Sequence, residues 1–175
     1  MPTRTEILET LHQSQERLFT LIRTWTPEEL EQICTTSQVP ESRPWRRKDH
    51  CAHLALIERA FQAIIRRTLA HEADPVGFSR TGATNREEVL AWIHRQNQAY
   101  TEKHSDDSRE QLLDNLAAAR QQSLALLEEL TDEQLALSVP GAPWADGTIG
   151  GLLITNARHT AQHLSWVEEG LRQQT

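Results

Sequence analysis

Two histidines stand four residues apart in the segment Arg158-His159-Thr160-Ala161-Gln162-His163-Leu164. At that spacing both side chains leave the same face of a helix, one turn apart. Two imidazole nitrogens so placed can share one cation, as on the zinc-binding helix of metalloproteases. The residue after His159 is Thr160, so the glutamate base of that protease motif is missing and protease chemistry is excluded. His159 and His163 also fall on the apolar stripe 149, 152/153, 156, 159/160, 163 and 166/167, which must face a core. A third histidine, His53, opens a second stripe at 53, 57, 60/61, 64 and 68. An imidazole buried without a partner costs about 1–3 kcal/mol. One divalent cation shared by three imidazoles satisfies them all. Histidines that simply pack and hydrogen-bond in the core are the other reading of the same pattern. With eight histidines in the chain, an i,i+4 pair alone decides little.

The remaining reactive side chains are less well placed. His50 lies three residues before His53 but off the stripe and directly after Asp49, which argues against a ligand. His12, His71, His94 and His104 sit on polar faces or near breaks, where solvent exposure is expected. Cys51 lies between His50 and His53 in sequence, yet adjacent helical residues point apart. A small buried thiol is therefore expected there, not a nucleophile. Arg120 interrupts an apolar stripe. It either reaches an acid or a bundle end, or anchors a substrate carboxylate near the metal. Asn156, on the stripe below His159, is the other candidate substrate contact.

Long amphipathic helices must position these groups. Apolar residues at 7/8, 11, 18, 21/22 and 25 predict a first helix over about 3–24. Thr26-Pro27-Glu28-Glu29 is a start signal, with Thr as N-cap and Pro in the first turn, and predicts a short helix ending near Cys34. Residues 35–44 read as a loop. A second long helix is expected over about 46–70 and a break over 72–82. Thr84 is expected to cap a helix running to about Lys103, with Val89, Ile93 and Tyr100 on one face. Helices over about 109–130 and 148–170 complete the set. Thr131-Asp132-Glu133-Gln134-Leu135 repeats the start signal at Thr26, and Pro143-Trp144 echoes Pro44-Trp45. Each copy leads into a helix containing His-Leu, at 53–54 and 163–164. Two helix pairs about a pseudo-twofold axis follow from such a repeat.

Composition narrows the function classes. A chain of 175 residues, 38% hydrophobic and 25% charged, suits a single globular domain over residues 1–175. The net charge of −7 gives no reason to expect a nucleic-acid partner. The one basic cluster, Arg46-Arg47-Lys48, reads as a solvated turn. No apolar run suggests a signal peptide or a membrane span. Cys34 and Cys51 form no CxxC motif or disulfide framework and fit a reducing cytoplasm.

The segment Trp45-x-x-Lys48-Asp49-His50-x-Ala52-His53-Leu54-x-x-Ile57-Glu58 resembles the second-helix motif of the DinB-like proteins. Arg158 through Val167 resembles their last-helix motif. The stretch from Asn97 through Leu116 is similar to their crossover and third helix, so the likeness covers nearly the whole chain. The resemblance implies an all-α four-helix bundle with a long crossover between helices two and three and short extra helices. It implies a divalent metal (Zn, Ni or Fe) on His53, His159 and His163, and frequent homodimers. Relatives include thiol-dependent S-transferases and isomerases acting on small electrophiles with a low-molecular-weight thiol. A non-catalytic sequestration or self-resistance protein and a metal-hydroxide hydrolase are alternatives on the same fold.

Overall fold

The computed structural model describes residues 1–35, 43–142 and 146–172. Four long helices form the frame: α1 (Arg4–Thr24), α3 (Arg47–Leu69), α5 (Arg109–Glu129) and α7 (Ile149–Arg172). Two one-turn helices, α2 (Pro27–Leu30) and α6 (Asp132–Leu135), follow α1 and α5. A further helix, α4 (Arg86–Lys103), lies in the crossover between α3 and α5 and packs against α3. Strands β1 (Ile33–Thr35) and β2 (Trp45–Arg46) pair antiparallel at the entrance to α3.

Capping chemistry sets most helix starts. Thr3, Thr26, Ser108 and Thr131 each accept from the backbone N–H three residues on, while Glu6, Glu29, Gln111 and Gln134 reach back to the cap N–H. Asp49 takes the equivalent role for α3 by accepting from the Arg46 backbone N–H at 2.8 Å. The cap of α4 is Asn85, one residue later than expected, because Thr84 donates to the Glu88 carboxylate instead. The short helix after Thr26 ends at Leu30, not near Cys34, because Ile33–Thr35 leaves to pair with Trp45–Arg46. The expected 35–44 loop and the Pro143-Trp144 echo fall largely or wholly outside the described residues.

Among the four long helices, the closely packed pairs are α1 with α7, α7 with α3, α3 with α5, and α5 with α1. They close a four-cornered bundle. Residue pairs give the directions. Arg109 at the start of α5 reaches the Arg23 and Trp25 carbonyls at the end of α1, so these two run antiparallel. Arg59 meets Asn115, and Gln62 meets Ala119 and Ser123, so α3 and α5 run parallel. Parallel neighbours cannot be joined by a tight turn, which is why a crossover holding a whole helix separates them.

The expected duplication is visible in the elements. α1, α2 and the β1–β2 pair lead into α3. α5, α6 and a Ser138–Thr148 bridge lead into α7 in the same order. The core falls into two apolar clusters. One gathers Ile7, Leu11, Ile65, Leu126 and Leu153, the other Leu18, Ile22, Ala55, Leu116 and Val167. Between the residues just named, in sequence order on each of the four long helices, lie polar residues: Ser14, Glu58 and Gln62, Arg120 and Ser123, Asn156 and Thr160.

Candidate metal centre

The antiparallel seam of α3 and α7 brings the histidines together. His53 Nε2 and His159 Nε2 lie 3.2 Å apart. Ring centroids are 4.7 Å apart for His53 and His163, and 4.5 Å for His159 and His163. One nitrogen from each of the three falls within 4.8 Å of the others. His53 and His163 are buried and His159 is half-buried. Trp45, in β2, covers the cluster from one side, with its centroid 5.0 Å from His53 and 5.2 Å from His50. Trp166 stands edge-on to His163 at 4.8 Å.

Burial keeps these imidazoles neutral. It pulls the pKa of His159 from its ordinary 6.5 to about 4. His53 and His163 are lowered too, first by burial and then by the neighbouring imidazoles. A neutral imidazole is the form that coordinates a metal, so the donor set stands ready at neutral pH. The structure fits a cation on one further count. Two imidazole nitrogens bound at 2.0–2.1 Å in a tetrahedral site lie roughly 3.3 Å apart, and His53 and His159 hold theirs at 3.2 Å.

A family model of the DinB superfamily matches residues 38–167. The chain belongs to the DinB superfamily. The crystal structure of an uncharacterised protein from Escherichia coli UTI89 is similar, with a TM-score of 0.66 and 18% identity over 98% of this chain and 94% of that one. That likeness speaks for the fold. No curated protein matches the sequence.

Several residues of this DinB-superfamily chain stand otherwise than the sequence suggested. His50, expected off the core, is 3% exposed and pairs its Nδ1 with His163 Nδ1 at 2.8 Å and its Nε2 with Thr35 Oγ1 at 3.0 Å. A single-stripe argument fails there because β1, α2 and α7 enclose the first two turns of α3, burying residues 47–55 on every face. The same enclosure corrects the reading of Arg46-Arg47-Lys48. Arg46 is ion-paired with Asp49 and Glu31, Arg47 with Glu29, and Lys48 with Glu31 at 2.7 Å. Burial alone would raise the Asp49 pKa, but hydrogen bonds from Arg43 and Arg46 outweigh it and hold the carboxyl below its usual range.

Arg120 is buried and ion-paired with Glu58 at 2.6 Å. Its Nε and Nη2 donate to Glu58, and its Nη1 donates to the Leu11 carbonyl and the Ser14 hydroxyl. This engagement inside the polar layer argues against an anion anchor. Asn156 is buried, and its Nδ2 has no hydrogen-bond partner among the described residues. Cys51 is buried as expected, and burial pushes its thiol up to about 12. Of the outlying histidines, His12 and His71 are exposed. His94 and His104 are half-buried, with His104 Nδ1 2.6 Å from Asp107. Sequence reasoning passed over Trp45 as a wall of the site, although Pro44-Trp45 immediately before the histidine helix was a usable signal.

Proposed function

We propose that this chain is a divalent-metal-dependent enzyme in which His53, His159 and His163 are the ligands and a low-molecular-weight thiol attacks a small electrophile. The observation that carries the reading is the convergence of three neutral imidazoles from two helices, with the His53 and His159 nitrogens 3.2 Å apart. Three protein ligands leave a coordination position open, the arrangement of a catalytic site and not of a closed structural one. Imidazole donors suit Zn, Ni or Fe(II). Bound there, a divalent cation supplies the Lewis acidity that lowers the pKa of a thiol or a water.

The chain's own residues supply the rest. Burial keeps the imidazoles from taking up a second proton near neutral pH, so each has one ring nitrogen free of hydrogen to offer an ion. Trp45 and Trp166 shield the cluster from water on two sides. Asn156, one turn from His159 and buried with its Nδ2 unpartnered among the described residues, is the candidate contact for a substrate oxygen or carboxylate. In the overall reaction the thiol gives up its proton and its sulfur bonds to the electrophilic carbon. A leaving group then departs with the bonding pair, or in an isomerisation the sulfur itself leaves again.

Elemental analysis tests the centre. Wild-type protein carries close to one divalent ion per chain, and His159→Ala carries little. Loss of free thiol with a panel of cellular thiols and small electrophiles tests the reaction. Turnover by metal-loaded wild type that His159→Ala lacks supports it. Full metal occupancy with neither thiol consumed nor electrophile rearranged removes the thiol-dependent reading and leaves sequestration or hydrolysis.

A further inference from the structure

We infer that His50 is the positioning residue of this centre: by accepting a hydrogen bond from His163 Nδ1 it fixes the His163 tautomer whose Nε2 faces the cation. The inference rests on the metal reading above. The two Nδ1 atoms lie 2.8 Å apart with the rings near edge-on, at 66°. Two neutral imidazoles that close share a single hydrogen, so one ring donates and the other accepts.

The two choices have different consequences. If His163 donates, its Nε2 is bare and can ligate. If His50 donates, the hydrogen of His163 sits on Nε2 and blocks coordination. A ligating histidine is held in its tautomer by the hydrogen bond its other nitrogen makes. In the ligating state the hydrogen of His50 sits on Nε2, 3.0 Å from Thr35 Oγ1, where the hydroxyl accepts it. The chain of donation runs from His163 to His50 to Thr35. Both nitrogens of His50 are engaged in it, so His50 orients a ligand and does not compete as one.

Local structure holds the relay in place. Thr35 lies in β1, paired with Trp45 of β2, and the Trp45 ring stands edge-on to His50 at 77°. The short β1–β2 pair therefore fixes both the terminal acceptor and the wall against which the His50 ring rests. His53 lacks any such support, for its Nδ1 is buried with no hydrogen-bond partner among the described residues. Of these two ligands, His163 alone has its outer nitrogen held.

The test uses zinc alone as the probe, with affinity read by competition against a chromophoric chelator. His50→Leu is expected to bind zinc roughly 10–100-fold more weakly than wild type. His50→Asn, whose Oδ1 can take the acceptor place of Nδ1, is expected to stay within a few-fold of wild type. Equal zinc affinity in wild type and His50→Leu overturns the inference and leaves the metal reading standing. A wild type that takes up no zinc overturns both. Should His50→Leu not fold, ring-nitrogen NMR of zinc-loaded wild type decides. A hydrogen on His163 Nδ1 with Nε2 on the ion supports the relay, and coordination through Nδ1 overturns it.

Discussion

Protons are hard to add at His50, His53, His159 and His163. All four rings are lowered below the ordinary 6.5, with His50 and His159 at about 4, and burial is the largest cause in each. An unfolded chain takes up these protons near pH 6.5, whereas the folded chain resists them until much lower pH. The unfolded state therefore binds more protons across that window, and stability falls as pH drops. Each such group tilts the metal-free protein by about 1.4 kcal/mol per pH unit. Urea midpoints measured in chelator from pH 7 to 4.5 should fall steeply, and His50→Asn should show a shallower slope. A flat profile would mean that the imidazoles are hydrated. At this scale the sequence was partly legible. Stripe position picked out His53, His159 and His163, because each lies on a face that is apolar along its own helix. It missed His50, whose burial comes from β1, α2 and α7, elements distant in sequence or too short to carry a periodic pattern.

Elements meet in two places where one atom decides the packing. Gly170 lies inside α7, which continues to Arg172, although a glycine there reads as a helix end. Its role is close approach: a Cβ at Gly170 would fall 1.4 Å from the Cys34 carbonyl oxygen of β1. Because the obstacle is backbone, no rotamer relieves it. Gly170→Ala should cost roughly 1–3 kcal/mol or more in chemical denaturation. Gly150→Ala meets first the Ile7 methyl at 3.3 Å, a side-chain end that can shift by a few tenths of an ångström, and should cost far less than Gly170→Ala. The second place is the Glu58–Arg120 pair between the apolar clusters. Removing one buried partner strands the other, so Arg120→Ala should lose roughly 3–5 kcal/mol. Metal content of the folded fraction should be unchanged. The sequence marked Arg120 as anomalous on its stripe but could not name its acid, since Glu58 lies 62 positions away across the bundle. Caps and helix bodies were readable because they are local. β1 and β2 were not, being three and two residues long.

Across the whole molecule, the proposed ligands join α3 to α7, the two helices that close the two halves of the repeat. The repeated Thr26 and Thr131 start signals made that organisation readable, whereas the crossover was expected from the family resemblance alone. The parallel course of α3 and α5 follows from the two together once the bundle closes. A cation on His53, His159 and His163 would pin one seam, α3 against α7, while α1 and α5 contribute no ligand. Binding to the folded state alone stabilises it by about 2.7 kcal/mol when free ion is a hundredfold above its dissociation constant. Zinc or nickel should therefore raise the thermal midpoint of wild type and leave that of His159→Ala in place. The distribution of the effect is the sharper test. Hydrogen exchange should slow most in the turns of α3 around His53 and of α7 around His159 and His163. The amides of α4, which buries only Thr101 and supplies none of the proposed ligands, should change their exchange rate least. Protection spread evenly over all the helices would indicate general tightening by the ion and would argue against a cation held at this seam.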